Sequence, residues 1–142
     1  MRLSSDRDAT IHFLKEAVRA FVQERGWDRF HNAKNLAESI CIESSELLEL
    51  FQWLSSRESQ GFIRRPQNLS RLSGELADVL IYCLALANLA GVDIASSILS
   101  KLRESARRYP AHEYSGRAPR LGVRSGERPK DSPKHSGLKA RT

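Results

Sequence analysis

The sequence predicts an all-α protein, an antiparallel four-helix bundle that forms oligomers. Apolar residues recur at intervals of three and four in four successive segments, and no segment alternates convincingly between apolar and polar residues as a strand does. In the third segment, residues 79–87 are apolar on every side of a helix. Such a helix must be covered all round, either at the centre of its own bundle or by a second subunit.

The first two helices are predicted from spaced apolar residues and their flanking caps. Helix one should cover about residues 6–25, with Ser4 or Ser5 as its N-cap and Gly26 at its end. Helix two should run from Asn32 or Asn35 to Leu54. The apolar face of helix two comprises Leu36, Ile40, Leu47, Leu50, Phe51 and Leu54.

A loop is predicted over residues 55–68, because this segment contains Gly61, Pro66 and two adjacent arginines. The third helix should then begin near residues 68–70 and end at Gly91. Asp93 is the expected cap of the fourth helix, which Pro110 should stop.

The composition changes after residue 110. Residues 111–142 carry eight Lys and Arg against three acids, whereas residues 1–110 carry 15 basic and 14 acidic side chains. The net charge of +6 therefore belongs mainly to the tail and gives little support for nucleic-acid binding by the folded part. We predict a folded domain over residues 1–110 and a basic, disordered tail over residues 111–142.

The N-terminus and the apolar stretches predict the compartment. The first eight residues contain no apolar run, so they do not form a secretory signal. The longest apolar stretch, residues 79–87, is far shorter than a membrane span. We therefore expect a cytoplasmic protein without a membrane partner.

Four carboxylates lie where apolar residues are expected. At about 100° per residue, Glu43 falls in the middle of the apolar arc of helix two, with Glu46 at its edge. Glu75 lies among apolar residues of helix three, with Asp78 on the adjoining edge. Ionised carboxylates facing a core cost several kcal/mol unless a positive charge compensates them.

Two kinds of positive partner could compensate these acids. Buried ion pairs are one explanation, but the apolar faces of the two helices offer no Lys or Arg at matching positions. A hard divalent cation such as Mg²⁺ is the other, because it prefers oxygen ligands. A di-iron bundle would need Glu-x-x-His pairs, and no His in the sequence stands three residues after a Glu.

The ordered motifs resemble those of the all-α NTP pyrophosphohydrolase superfamily, which includes the MazG-like proteins. The resemblance spans residues 10–112 and looks closest to the dCTP pyrophosphatase branch. The segments that carry it are Trp27-Asp-Arg-Phe-His31, Asn35-Leu, Glu43-x-x-Glu-Leu-x-Glu-Leu-Phe-Gln-Trp53, Glu75-Leu-x-Asp-Val-Leu-Ile-Tyr82 and Arg107-Arg-Tyr-Pro110.

The resemblance implies that the four acids bind magnesium. The reaction would split a nucleoside triphosphate into the monophosphate and pyrophosphate, with the metal neutralising and orienting the triphosphate. The metal ligands and catalytic residues implied are Glu43, Glu46, Glu75 and Asp78. Which carboxylate serves as general base stays open.

The resemblance also implies substrate contacts outside the acid pairs. Trp27, His31 and Trp53 match positions that enclose the base, and His31 would supply a hydrogen bond. Tyr82 follows Asp78 by one helical turn and would touch the substrate; a core tyrosine is the alternative.

Basic residues of helix four match a phosphate-binding stretch of the family. Lys101 and Arg108 would contact phosphate oxygens; an exposed basic helix end is the alternative. Ser105 stands where the dCTP branch usually has Asn, so the amide donors of that Asn are missing here.

Taken together, the resemblance implies a homodimer or homotetramer that hydrolyses dCTP or a modified dCTP to cleanse the nucleotide pool. The alternatives are a superfamily member acting on dUTP, a purine triphosphate or phosphoribosyl-ATP, and a non-catalytic helical interaction protein.

Overall fold

The computed structural model describes residues 5–116, and within that range the chain is helical with connecting turns and contains no strand. The all-α prediction is therefore confirmed. The helices are α1 (Ile11–Glu24), α2 (Ala33–Glu49), α3 (Ser56–Phe62), α4 (Pro66–Ala90), α5 (Ile94–Arg108) and α6 (Ala111–Tyr114), with a 3₁₀ turn at Trp27–Phe30 between α1 and α2.

The chain divides into two compact units, Met1–Lys101 and Leu102–Thr142. In the first unit, α4 packs mainly against α2 and less extensively against α1, and the 3₁₀ turn packs against α1. The buried apolar side chains of the described residues are few, namely Val22, Leu36, Leu50, Ala85 and Ala87. The predicted division at residue 110 stays a prediction.

Helix α1 begins later than the sequence predicted. Thr10 is its N-cap, and its side chain accepts a hydrogen bond from the backbone N of Phe13 at 3.0 Å. Ser5 instead bonds Asp8 ahead of the helix, and Ser4 lies outside the described residues. Gly26 follows α1 with a positive φ of 61°, a conformation that glycine adopts without strain.

Helix α2 starts where the sequence predicted and ends earlier. Asn32 is its N-cap, and its side-chain oxygen accepts from the backbone N of Asn35 at 2.9 Å. The helix ends at Glu49 rather than Leu54, because the backbone N–H groups of Phe51 and Leu54 bond the carbonyls three residues back. The helical spacing of apolar residues continues through this turn, which is why periodicity alone extended the helix.

The predicted loop over residues 55–68 contains a helix, so that prediction was wrong. Ser55 and Glu58 form a capping box that starts α3, with the Ser55 backbone N donating to Glu58 at 2.8 Å. Pro66 is the first residue of α4, where its missing N–H costs nothing, so α4 also starts earlier than predicted. The Phe51 and Phe62 rings, 5.3 Å apart, close the turn.

The later helix ends follow the sequence more closely. Gly91, with φ of 65°, caps α4, and the Asp93 side chain accepts from the backbone N of Ser96 at 2.9 Å at the start of α5. Helix α5 ends before Pro110.

The short helix α6 lies at the start of the segment predicted to be disordered, and the prediction for the tail as a whole stays a prediction. Glu113 and Tyr114 donate backbone bonds to the Pro110 carbonyl. The Tyr109 and Tyr114 rings meet edge to face at 5.3 Å. This is a local contact that the composition of the whole tail did not reveal. The rest of the predicted tail, residues 117–142, lies outside the described residues.

Much of α4 stays exposed within one chain. Its exposed apolar side chains include Leu69, Leu76, Leu80, Ile81 and Leu89. By length and composition, α4 is also the one described helix that could cross a membrane, with a mean hydropathy of 1.5 in its most apolar stretch. That is weak evidence, since core helices of soluble proteins meet the same test.

Candidate metal and nucleotide site

Three carboxylates from two packed helices converge. Glu43 projects from α2, and Glu75 and Asp78 project from α4. One carboxylate oxygen of each lies within 4.8 Å of the other two. The spacing of three residues places Glu75 and Asp78 on the same side of α4, so a single position on α2 can face both of them.

The electrostatics of this acid cluster are repulsive. Burial raises the pKa of the Glu43 carboxyl, and the nearby charges of Glu46, Asp78 and Glu75 raise the pKa further. Glu46 is therefore close enough to act on Glu43, although it is exposed and is not one of the three converging carboxylates. A cation bound among these carboxylates would oppose the rise in the pKa of Glu43.

Several basic side chains among residues 5–116 pair with acids outside this cluster, including Glu16, Glu24, Glu38 and Glu104. The converging groups are all carboxylate oxygens, which are the ligands that hard divalent cations prefer. The acid cluster therefore suits a divalent metal ion.

A cavity of about 280 Å³ lies between the 3₁₀ turn, α2 and α4. It is lined by Trp27, Phe30, His31, Asn35, Leu36, Ser39 and Tyr82. Three of the side chains that the resemblance assigned to the substrate thus share one cavity. Aromatic rings and a few polar groups around a concave space are typical of small-molecule sites.

The cavity and the acid cluster are neighbours along the same two helices. On α2, Ser39 of the cavity precedes Glu43 by four residues; on α4, Tyr82 of the cavity follows Asp78 by four. These opposite orders mean that α2 and α4 run antiparallel where they form the site. Four residues of helix rise about 6 Å, so one helical turn separates the two places.

Trp53 does not join the other predicted base contacts. It lies in the turn after α2, with 86% of its surface exposed, and it does not line the cavity. Ser39 and Trp53 are 14 residues apart, toward opposite ends of α2. Its assignment to the base stays a prediction that a single chain does not support.

The two basic residues predicted to bind phosphate lie on α5. Lys101 is exposed, and the Arg108 guanidinium forms an ion pair with Glu104 at 2.8 Å. Their roles stay predictions.

Four cavity residues were not predicted from the sequence to belong to the site, namely Phe30, Asn35, Leu36 and Ser39. Asn35 was named only as a possible helix start and as part of a motif, and Ser39 was not named. Asn35, Ser39 and Glu43 follow one another at intervals of four residues, so they form one polar stripe on α2. This polar stripe, which ends at Glu43, could have indicated from the sequence that Asn35 and Ser39 belong to the site.

Comparisons with known proteins show which family this chain resembles. The MazG-like family matches residues 38–122. The human protein dCTP pyrophosphatase 1 is 40% identical over 113 residues, which cover 78% of this chain and 65% of that protein. The bovine protein of the same name is 36% identical over 115 residues, covering 81% and 68%.

A solved structure has a similar fold. A pyrophosphatase from Archaeoglobus fulgidus superposes with a TM-score of 0.66 at 36% identity, covering 78% of this chain and 98% of that one. The chain spans about 65% of the length of the human and rat relatives. The family match covers more than half of the chain, and both acid pairs lie inside it. The chain therefore belongs to the MazG-like family.

Proposed function

We propose that this protein is a Mg²⁺-dependent pyrophosphohydrolase that converts dCTP, or a modified dCTP, to the monophosphate and pyrophosphate. The observation that carries the proposal is the convergence of the Glu43, Glu75 and Asp78 carboxylates within 4.8 Å. Four acids in this family's pattern, beside an aromatic cavity, suit a substrate with a highly charged phosphate chain and a flat base.

The proposed metal ligands are Glu43, Glu75 and Asp78, with Glu46 completing the set. Mg²⁺ fits this all-oxygen donor set, and it is commonly held by a few carboxylates together with substrate phosphates. When bound, the cation neutralises and orients the triphosphate. The raised pKa of Glu43 supports the assignment, because an ionised Glu43 needs a cation more than an isolated surface acid does.

The base would occupy the cavity, one helical turn from the acid cluster. Trp27 from the 3₁₀ turn and Tyr82 from α4 offer aromatic faces, and His31 offers a ring nitrogen for a hydrogen bond. This arrangement holds the base while its phosphates reach toward the carboxylates. Trp53, Lys101 and Arg108 are retained as further substrate contacts, on the resemblance alone.

The choice of dCTP rests on relatives. The human, rat, mouse and bovine proteins at 36–40% identity are each named dCTP pyrophosphatase 1. Their similarity covers 78–81% of this chain. We further propose that the protein acts in the cytoplasm as a homo-oligomer that removes unwanted nucleotides from the pool.

The test is a nucleotide panel with the purified full chain and Mg²⁺. Chromatography should show dCTP converted to dCMP and pyrophosphate, without release of single phosphates. Glu75→Gln should abolish the reaction while the helical circular dichroism spectrum stays unchanged.

The matched control for that variant is Glu38→Gln, which neutralises an α2 carboxylate paired with Lys34 outside the acid cluster. It should behave as wild type. Hydrolysis of dUTP, a purine triphosphate or phosphoribosyl-ATP in preference to dCTP would overturn the substrate assignment. A protein that hydrolyses no nucleotide on the panel would be a non-catalytic helical protein.

A further inference from the structure

One cavity side chain, Asn35, has its orientation fixed by the backbone. Its side-chain Nδ2 donates to the Phe30 carbonyl oxygen at 3.0 Å. A carbonyl oxygen can only accept, so the amide nitrogen must face Phe30 and Oδ1 must face away from it. In the described part of the chain, no hydrogen bond engages Oδ1.

Reversing this amide would be costly. A flipped Asn35 would place Oδ1 against the Phe30 oxygen, which replaces a hydrogen bond with contact between two acceptors. The backbone N of Asn35 is also held, by the Asn32 side chain at 2.9 Å at the start of α2. The backbone N and the side-chain amide of Asn35 are therefore both anchored, and Asn35 lines the cavity with an amide oxygen that can accept a hydrogen bond.

We propose that Asn35 determines base specificity by accepting a hydrogen bond from the exocyclic amine of cytosine through Oδ1. This inference rests on the proposed function. Cytosine has an amine donor at position 4, whereas uracil and thymine have a carbonyl acceptor there. With the amide fixed, uracil would set two oxygens against each other. Sites built around a fixed hydrogen bond discriminate more strongly than stacking, which accepts every base.

The experiment compares kcat/KM for dCTP and dUTP in wild type and in Asn35→Ala. Wild type should favour dCTP by roughly tenfold or more, the effect of leaving one polar group unpaired. Asn35→Ala should lose most of this preference, because kcat/KM for dCTP falls while kcat/KM for dUTP holds or rises.

The matched control is Asn68→Ala. Asn68 also donates its Nδ2 to a backbone carbonyl, that of Phe62 at 3.2 Å, but it lies outside the cavity. Its loss should leave the dCTP preference unchanged. If the loss of preference came only from removing a hydrogen bond between an Asn side chain and a backbone carbonyl, it would appear in both Asn35→Ala and Asn68→Ala.

A second measurement uses wild type alone and therefore holds even if Asn35→Ala does not fold. The deoxynucleoside triphosphate of pyrimidin-2-one lacks the 4-amino group. Its kcat/KM should fall below that of dCTP by roughly tenfold. If it is hydrolysed as well as dCTP, the amine is not recognised and the inference is overturned.

The outcomes separate the two proposals. Hydrolysis of dCTP with a preference that survives in Asn35→Ala overturns the role of Asn35 and leaves the proposed activity standing. Equal hydrolysis of dCTP and dUTP by wild type would likewise overturn the role of Asn35 and leave the proposed pyrophosphohydrolase activity standing. Absence of hydrolysis of any nucleotide overturns the proposed function, and the role of Asn35 with it.

Discussion

Repulsion within the acid cluster acts on the ionisation of Glu43. Its pKa is raised by burial and by the neighbouring carboxylates, so the folded, metal-free protein takes up its proton more readily than the unfolded chain does. The free energy of unfolding of the metal-free protein therefore falls as pH rises from the pKa of Glu43 in the unfolded chain to its higher pKa in the folded protein. Above the folded pKa, Glu43 is ionised and the protein is destabilised by the full amount. Stabilisation by a bound cation instead increases as pH rises, because the metal and the proton compete for the same carboxylate.

The first prediction follows from that sign. Glu43→Gln should raise Tm of the metal-free protein by a few degrees at neutral pH and should weaken the fall in stability with rising pH. The same change should lower pyrophosphate release by roughly a hundredfold or more. Thermal melts in a chelator, from mildly acidic to neutral pH, measure the stability effect. Glu38→Gln is the control, and a metal-free Glu43→Gln protein that melts earlier than wild type would contradict the repulsion.

Trp27 carries the second prediction. If its ring stacks on the base, Trp27→Ala should raise KM for dCTP by about five- to a hundredfold, with a smaller change in kcat, since the phosphate chemistry lies elsewhere. Trp27 also meets Phe21 edge to face at 5.7 Å, so its loss can disturb packing. Phe21 does not line the cavity. Phe21→Ala is therefore the packing control, and an equal rise in KM in both variants would show that stacking on the base is not the cause.

Among the helices, the ends that a local side-chain signal marks were predictable, and the turns that tertiary contacts stabilise were not. Asn32, Gly91 and Asp93 act at the ends that their residue types suggested. The end of α2 at Glu49 depends on how the chain turns back, with Leu50 buried and Phe51 against Phe62. The spacing of apolar residues predicts which side chains are buried, but it does not show where the helical backbone ends.

Helix α3 shows a local signal that was present and not used. Its Ser-x-x-Glu sequence forms a capping box, in which the Ser55 side chain lies 2.6 Å from the Glu58 carboxylate and accepts from the Glu58 backbone N at 3.3 Å. The Ser55 hydroxyl and the Ser55 backbone N both donate to the Glu58 carboxylate, and these two hydrogen bonds lower the pKa of Glu58. The stability that Glu58 contributes is therefore present above its unfolded pKa and is lost as pH falls through its folded pKa.

The third prediction tests that cap. Ser55→Ala should let the amides of α3 exchange roughly fivefold faster in hydrogen-exchange measurements, with little change in α4. Wild-type α3 should show the same loosening at acidic pH, where Glu58 takes up a proton. Ser56→Ala, one residue into the helix, is the control because Ser56 has no part in the box. Unchanged exchange in Ser55→Ala would mean that packing, not the cap, holds α3.

For the whole molecule, the acid cluster was predictable and the cavity was not. The two i, i+3 acid pairs can be identified from the helical spacing of the apolar residues around them. Their convergence is also predictable, because two packed helices have few ways to arrange acids on their facing sides. The cavity needs three elements to meet, and the 3₁₀ turn that contains Trp27 and precedes His31 has no periodic signal. Trp53, assigned by resemblance alone, lies away from that cavity in one chain.

The remaining exposed surface of α4 carries the last prediction. Leu76, Leu80 and Ile81 are 46%, 52% and 42% exposed within one chain, although the sequence predicts that this helix is covered all round. Burial of apolar surface at about 25 cal/mol per Å² makes a second copy of the chain the expected cover. Light scattering at micromolar concentration should therefore give at least twice the 16.0 kDa chain mass. The double change Leu76→Lys and Leu80→Lys should shift the protein toward the monomer while its helical circular dichroism spectrum is retained, because two desolvated charges oppose association. A wild-type mass of one chain throughout the micromolar range would show that α4 is not a subunit interface.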